Sequence, residues 1–279
     1  ALITSFRKTR SSLCPKTSWG SILRLDDFSY KAYRDLLHSL LSSRRNLCFK
    51  DCVKENPEGS YLILRHDVDF SPEAAFRMAE FEAELDIKAT YFILLSSPYY
   101  NLLSEDYIDF PRRLAEMGHD IGWHYDVKTM EKASRDIGLT DMMEREIGVL
   151  SHLAGMDVTS IAMHNPSLSG IYPFRKTRFI NAYADTYTKD IAYFSDSCGA
   201  WRDEFAGRFE KNRIPMQLQL LIHPIFWSAT SSNRWEILDG FVQGKHDHLL
   251  EDTRQVKGSW RNHTGVNQHD KRIRIGSTR

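Results

Sequence analysis

Residues 61–73 read YLILRHDVDFSPE, and this stretch decides the fold. A continuous apolar run opens it, as expected of a strand covered on both faces. Ser71, Pro72 and Glu73 then supply an N-cap, a proline at the first helical position and an acid in the first turn. A buried strand passing directly into a helix is the opening half of a crossover unit. The helix predicted over Pro72 to Leu85 carries Ala74, Met78, Phe81 and Leu85 on one face.

The same alternation extends downstream. KATYFILL reads as the next strand, followed by a helix around Tyr107–Met117 with Gly118 as its C-cap. HDIGWHYD is short and strand-like. A helix over Thr140–Ala154 has Met143, Ile147, Leu150 and Ala154 in phase. VTSIAMHN, IAYFSDS and LQLLIH are further apolar strands, each ending in polar residues. Strands alternating with helices imply parallel pairing. This many units predicts an α/β fold, a distorted (β/α) barrel of about seven parallel strands, in place of an open doubly wound sheet.

Outside this region the text changes. Arg7, Lys8, Arg10 and Lys16 fall among the first residues with no acid, so 1–20 reads as a loose basic arm. The α/β domain is expected over 21–240, and 241–279 reads as a polar, disordered or loosely attached tail.

With 279 residues, 42% of them hydrophobic, the chain can bury one large core. Its 37 basic and 37 acidic side chains cancel, so nothing global points to nucleic acid or an anionic membrane. No apolar run approaches the ~20 residues of a membrane span. The first residues do not read as a secretory signal, which favours a cytoplasmic protein. Cys14, Cys48, Cys52 and Cys198 read as reduced, inert thiols; a lone Cys-x3-Cys pair is weak evidence for zinc.

Polar residues gather where the strands end. Arg65, His66, Asp67 and Asp69 end the first of these strands; His124, His164, Asp196 and His223 end later ones. In parallel β/α folds that edge forms the active-site crevice. Asp67 and Asp69, two residues apart, project to the same side of an extended chain. Two carboxylates so close call for a cation or a shared proton. One alternative is purely structural: one acid caps the next helix and the other pairs with Arg65. Asp69 with His124, His164 and His223 at neighbouring strand ends offers the one carboxylate and two imidazoles of a donor set for zinc, iron, cobalt or nickel. His66 should face the other way, as packing or support. His119 opens its strand at the wrong edge, and His246, His248, His263 and His269 read as solvated. Trp123, Tyr125, Trp201 and Trp227 lie beside these motifs and suit either core packing or the apolar face of a sugar.

LRHDVDFS, ATYFI, GHDIGWHYD, the strand ending in His164-Asn165, DSCGAWRD and LLIHP, in that order, resemble the polysaccharide deacetylases (the NodB-homology domain, carbohydrate esterase family 4). The similarity runs roughly from Ile22 to Trp227 and is nearest to a branch with His-Asp-Val-Asp in place of an adjacent Asp pair. It implies a barrel in which a divalent metal, zinc first among the choices, serves the removal of an acyl group from an amino sugar or glycan precursor. By the resemblance Asp67 matches the catalytic base, Asp69 and His124 match metal ligands, and His223 matches the general acid. Asp196, Trp201 and Arg202 resemble the segment that orients that histidine and lines the pocket, with Arg65 in support.

Two features depart from the pattern. Lys128 stands where the second metal histidine is expected, and His164 is taken as its substitute. Tyr172-Pro173-Phe174-Arg175 only partly matches the family's Arg-x-Pro-Tyr segment. The expected ligand is a carbohydrate or amino sugar. The rivals are a hydrolase of another non-peptide C–N bond, a carbohydrate-binding relative without metal, and a non-haem iron oxygenase.

Overall fold

In the computed structural model, which describes residues 26–134, 136–169, 173–201, 205–211, 213–230 and 233–264, the strand over Tyr61–Val68 is buried along almost its whole length. Its side chains alternate between two interiors. Leu62, Leu64 and Val68 join the layer between sheet and helices, whereas Ile63 joins a smaller cluster with Phe49, Phe92, Ala162 and Ala182 inside the barrel. Arg65 and Asp67 share the inner side with Ile63.

Eight parallel strands form the sheet: β1 (Arg45–Leu47), β2 (Tyr61–Val68), β3 (Thr90–Leu94), β4 (Asp120–Tyr125), β5 (Ser160–Met163), β6 (Ile180–Asn181), β7 (Ala192–Ser195) and β8 (Gln217–Ile222). Seven of them run β6-β5-β4-β3-β2-β8-β7, and β1 lies beside the start of β2. The path curls into the expected distorted (β/α) barrel, with β6 and β7 at its two ends. Side chains bridge that gap where ladder bonds do not. The Gln219 amide of β8 donates to the carbonyls of Ala182 (3.2 Å) and Tyr187 (2.8 Å), and the rings of Tyr183 and Tyr193 meet edge to face at 6.3 Å.

The helices are α1 (Tyr30–Leu41), α2 (Phe49–Glu55), α3 (Pro72–Glu84), α4 (Phe110–Glu116), α5 (Val127–Ala133) and α6 (Leu139–Ala154), then short turns, then a final helix over Arg234–Thr264. Ser71 caps α3 by accepting from the Ala74 N–H at 3.1 Å, and Pro72 occupies its first turn. Gly118 takes the left-handed φ of +91° that closes the segment before β4. On α6, Met143, Ile147, Leu150 and Ala154 are buried as the periodicity required.

The buried face of α3 differs from the expected one. It comprises Ala75, Met78, Ala79 and Glu82, while Leu85 is exposed. The face is turned by about one residue because a glutamate holds a core position. Glu82 faces His66 Nε2 at 2.7 Å and accepts from the hydroxyls of Tyr91 (2.8 Å) and Tyr33. A buried carboxylate with that many partners is tolerated where an isolated one would not be.

The expected loose tail also needs correction. Residues 241–264 continue the final helix, whose Ile237, Leu238 and Phe241 pack against the core. Arg234, at its start, donates to the Cys198 carbonyl at 2.8 Å and so fastens the loop after β7. Beyond Phe241 the described side chains are largely exposed, which gives the segment its polar text. The arm at 1–20 and the stretch 265–279, which includes His269, lie outside the described residues. No described helix is long and apolar enough to cross a membrane.

Candidate active site

Strand ends β2, β4, β5 and β8 bring Asp69, His124, His164 and His223 into one cluster. The Nε2 atoms of the three histidines approach the Asp69 carboxylate at 3.1, 3.8 and 4.0 Å, from His124, His164 and His223 in turn. His124 Nε2 also lies 3.5 Å from Asp67 Oδ2. Exposure grades across the group: the His124 side chain is 1% exposed, Asp69 and His223 are 13%, and His164 is 21%, so solvent reaches the cluster most at His164.

Each imidazole is oriented through its other nitrogen. His124 Nδ1 donates to the Ala162 carbonyl at 2.9 Å, so that a neutral ring would present its Nε2 lone pair to Asp69. His164 Nδ1 faces Asp126 Oδ2 at 3.3 Å, and its Nε2 is 3.0 Å from the Asn165 amide nitrogen. His223 Nδ1 donates to Asp196 Oδ1 at 2.7 Å. Asp196 is itself buried, and accepts further bonds from the His223 backbone N–H and from Trp227 Nε1 at 2.8 Å.

Asp67 is held differently. Arg65 Nε donates to one of its oxygens and Nη2 to the other, both at 2.8 Å, with both side chains buried. The guanidinium reaches Gln219 at 3.3 Å and lies over the rings of Tyr183 (4.4 Å) and Phe92 (5.1 Å). Half of the structural alternative is therefore present, because Asp67 pairs with Arg65. The other half is not, because Ser71, rather than Asp69, caps α3.

The charges follow from these contacts. Burial would raise the Asp67 pKa, but Arg65 and His124 bring it below the usual carboxylate value. Burial works the same way on Asp69, yet the close approach of His124, with the charges of His223 and His164, holds it well below that range. Burial would lower the pKa of His223; its bond to Asp196 and the neighbouring carboxylates raise it to about 9. His124 is raised against its own burial by Asp67 and Asp69.

Asp69, His124 and His164 suit a divalent cation by donor chemistry. Asp69 Oδ1 is buried and makes no hydrogen bond, although His124 Nε2 lies 3.1 Å from it. With the His124 ring neutral, an oxygen and a nitrogen lone pair would face each other there, an arrangement that a cation between them stabilises. Among the described residues, however, no three His, Cys, Asp or Glu side chains stand in a ready-made metal cage. Asn165, with a left-handed φ of +47°, competes for His164 Nε2.

The remaining expectations divide. Trp201 packs on Phe205 and Phe28 with its indole nitrogen buried and unbonded, and Arg202 lies outside the described residues. Trp123 and Tyr125 are core residues facing away from the crevice, stacked on each other at 4.8 Å. His66 joins the Glu82 network, and His119 is buried between the Ala89 N–H and the Ala79 carbonyl. Lys128 is exposed on α5. Tyr172 lies outside the described residues. Burial raises the thiol pKa values of Cys48 and Cys52 to about 12, as inert thiols require. Asp126 was missed by the sequence reading. Its signal was a carboxylate two residues beyond His124, at the N-cap of α5.

No family model matches the chain, and no curated protein matches it. Solved structures do. A polysaccharide deacetylase from Bacillus cereus is 14% identical over 68% of this chain and 88% of its own, with a TM-score of 0.42. The catalytic domain of a peptidoglycan N-acetylglucosamine deacetylase from Eubacterium rectale is 13% identical over 69% and 87%, at 0.42. A carbohydrate esterase family 4 pseudoenzyme from Bacillus anthracis is 13% identical over 69% and 62%, at 0.32.

Proposed function

We propose that this protein is a metal-dependent hydrolase that removes an acyl group from an amino sugar or glycan precursor. One observation carries the reading: three imidazole Nε2 atoms converge on the Asp69 carboxylate beside a second, arginine-clamped acid, Asp67. Core packing gives no reason for that concentration of charge at four separate strand ends.

Asp69, His124 and His164 would hold the cation, zinc first among the candidates. When bound, it supplies Lewis acidity, making water easier to deprotonate and drawing charge from the acyl oxygen. Asp67 takes the proton of the attacking water, its two oxygens fixed in direction by Arg65. His223, protonated on Nε2 and held through Nδ1 by Asp196, delivers a proton to the departing amine. An unprotonated amine is too basic a leaving group, so this step sets the need for a histidine of raised pKa. The products are a carboxylic acid and a free amine.

A second reading, a carbohydrate-binding relative without catalysis, is favoured by the Asn165 contact to His164 Nε2 and by Lys128 on the exposed face of α5. Metal analysis after zinc reconstitution, paired with acetate release from N-acetylated sugars, separates the two. Stoichiometric metal with turnover that Asp67→Asn abolishes supports the hydrolase. Sugar binding with no retained metal and no acetate release overturns it.

A further inference from the structure

We infer that the final helix pairs antiparallel with the same helix of a second copy of this chain, across a stripe formed by Trp235, Val242, Leu249 and Val256. The inference goes beyond the chemistry proposed above and does not depend on it.

The four residues recur at every seventh position, the spacing that keeps one line of side chains facing a neighbouring helix. They are 64%, 61%, 65% and 68% exposed, and Leu250 beside them is 41% exposed. The domain does not use this stripe. Ile237, Leu238 and Phe241 pack against the core from another side of the helix. Among the described residues, Lys245 is the last of the helix to bond to the domain, through Tyr107 and Glu73. From His246 to Gly258 every residue is exposed. The polar contacts there lie within the helix: His248 with Asp252, Arg254 with Glu251, and the Thr253 hydroxyl with the Leu249 carbonyl.

Such a segment lacks the packing that sustains most helices. Helices without tertiary contacts are marginal in water even when rich in alanine, and Thr253, Val256 and Gly258 lower the propensity here. The pairs along the helix offset only a fraction of that deficit. A second helix laid on the stripe supplies the missing contact.

The stripe is complementary to itself. The helix has 31 residues, Arg234–Thr264, so Leu249 is its midpoint and the contact is about 46 Å long. A twofold axis at that point sets Leu249 on the partner's Leu249, and Val242 on the partner's Val256. It also sets His246, three residues before the axis, against the partner's Asp252, three residues after it, and does so twice by symmetry. Lys245 then falls beside the partner's Thr253. A parallel pair in register would instead set Lys245 on the partner's Lys245 and Asp252 on the partner's Asp252, like charge on like. Charge therefore selects the antiparallel arrangement. Asp239 and Asp252, on the two flanks of the stripe, also disfavour an anionic membrane surface as its occupant.

Sedimentation velocity of the full chain over about 1–100 μM should show a dimer that dissociates on dilution. Leu249→Glu puts two like charges on the axis and should weaken the dimer about 100-fold or more, with the thermal melt of the domain unmoved. His246→Glu faces an acid with an acid and should weaken it about 3- to 10-fold, whereas His246→Lys should leave it intact. Orientation is read by oxidation in a Cys14→Ser, Cys198→Ser background, which leaves only the buried Cys48 and Cys52. Leu249→Cys should then cross-link to its own copy, and Val256→Cys should not. Cross-linking of both establishes a parallel pair and overturns the antiparallel one. A monomer throughout the range, a dimer untouched by Leu249→Glu, or no cross-link in Leu249→Cys overturns the pairing itself.

Discussion

Asp196 accepts a hydrogen bond from His223 Nδ1 at 2.7 Å and is itself buried, so the imidazole is aimed, and its charged form favoured, by a residue that solvent does not reach. Burial alone would lower the pKa of His223, but Asp196 leads the contacts that raise it to about 9. The sign is then fixed. The charged ring favours the fold fully below the unfolded value near 6.5, and that contribution fades as pH rises through about 9. If His223 is the acid, acetate release falls over the same alkaline range. Asp196→Asn should move that limb toward neutral pH and cut the rate about 10²–10⁴-fold. A pH–rate profile unchanged in Asp196→Asn contradicts the assignment.

Asp126 does for His164 what Ala162 does for His124: each fixes an imidazole by its Nδ1 proton. Removing such a support loosens a ligand without deleting it. Asp126→Ala should weaken zinc affinity about 10- to 100-fold, while Asp69→Ala should abolish stoichiometric binding. Competition with a chromogenic chelator measures both. Asp126 also caps α5 through the Thr129 N–H at 2.8 Å, so a thermal melt should accompany the titration.

Much of this arrangement was legible because parallel strands impose it. Asp67, Asp69, His124, His164, Asp196 and His223 each end an apolar run, and parallel pairing places such ends at one edge. Asp67 and Asp69 could be assigned to the same side from the two-residue period alone. What escaped depends on partners distant in sequence. Nothing near Glu82 announces that Tyr33, His66 and Tyr91 will surround it, so apolar periodicity set the α3 face one residue off. The final helix escaped because only its first turns meet the core, leaving the rest with the composition of a solvated segment.

That Glu82 network makes a stability prediction independent of any reaction. Glu82→Ala leaves His66 and two tyrosine hydroxyls buried without their shared acceptor. The expected cost is about 3–5 kcal/mol, read from urea unfolding. The Glu82 pKa lies below its ordinary value, because His66 leads the contacts that outweigh burial. Its contribution is therefore present above the unfolded pKa near 4.5 and is lost as pH falls through the lower folded value. A cost within about 0.5 kcal/mol, the range of an ordinary surface change, contradicts the network's role.

Gly122 tests the packing inside the barrel. It sits on β4 opposite Phe92 of β3, and a Cβ there would lie 2.4 Å from ring atoms of Phe92. The Phe92 ring is confined by Phe49 at 5.6 Å and lies under the Arg65 guanidinium at 5.1 Å. Gly122→Ala should cost about 1–3 kcal/mol through overpacking. Because the displaced ring supports Arg65, activity should fall beyond what the lost folded fraction explains.

Arg65 itself separates a positioning role from bulk stability. Its two parallel hydrogen bonds and its stacking over Tyr183 and Phe92 need a planar guanidinium, which lysine does not provide. With Arg65→Lys the folded protein keeps a positive charge near Asp67 but loses the fork that fixes both oxygens. The counterweight to burial shrinks, so the Asp67 pKa should rise from its lowered value. A base with a higher pKa is protonated earlier on acidification. The acidic limb of the pH–rate profile should therefore move to higher pH in Arg65→Lys, with kcat reduced and metal content unchanged. If only the thermal midpoint falls and the limb stays in place, Arg65 holds the barrel together without tuning the acid beside it.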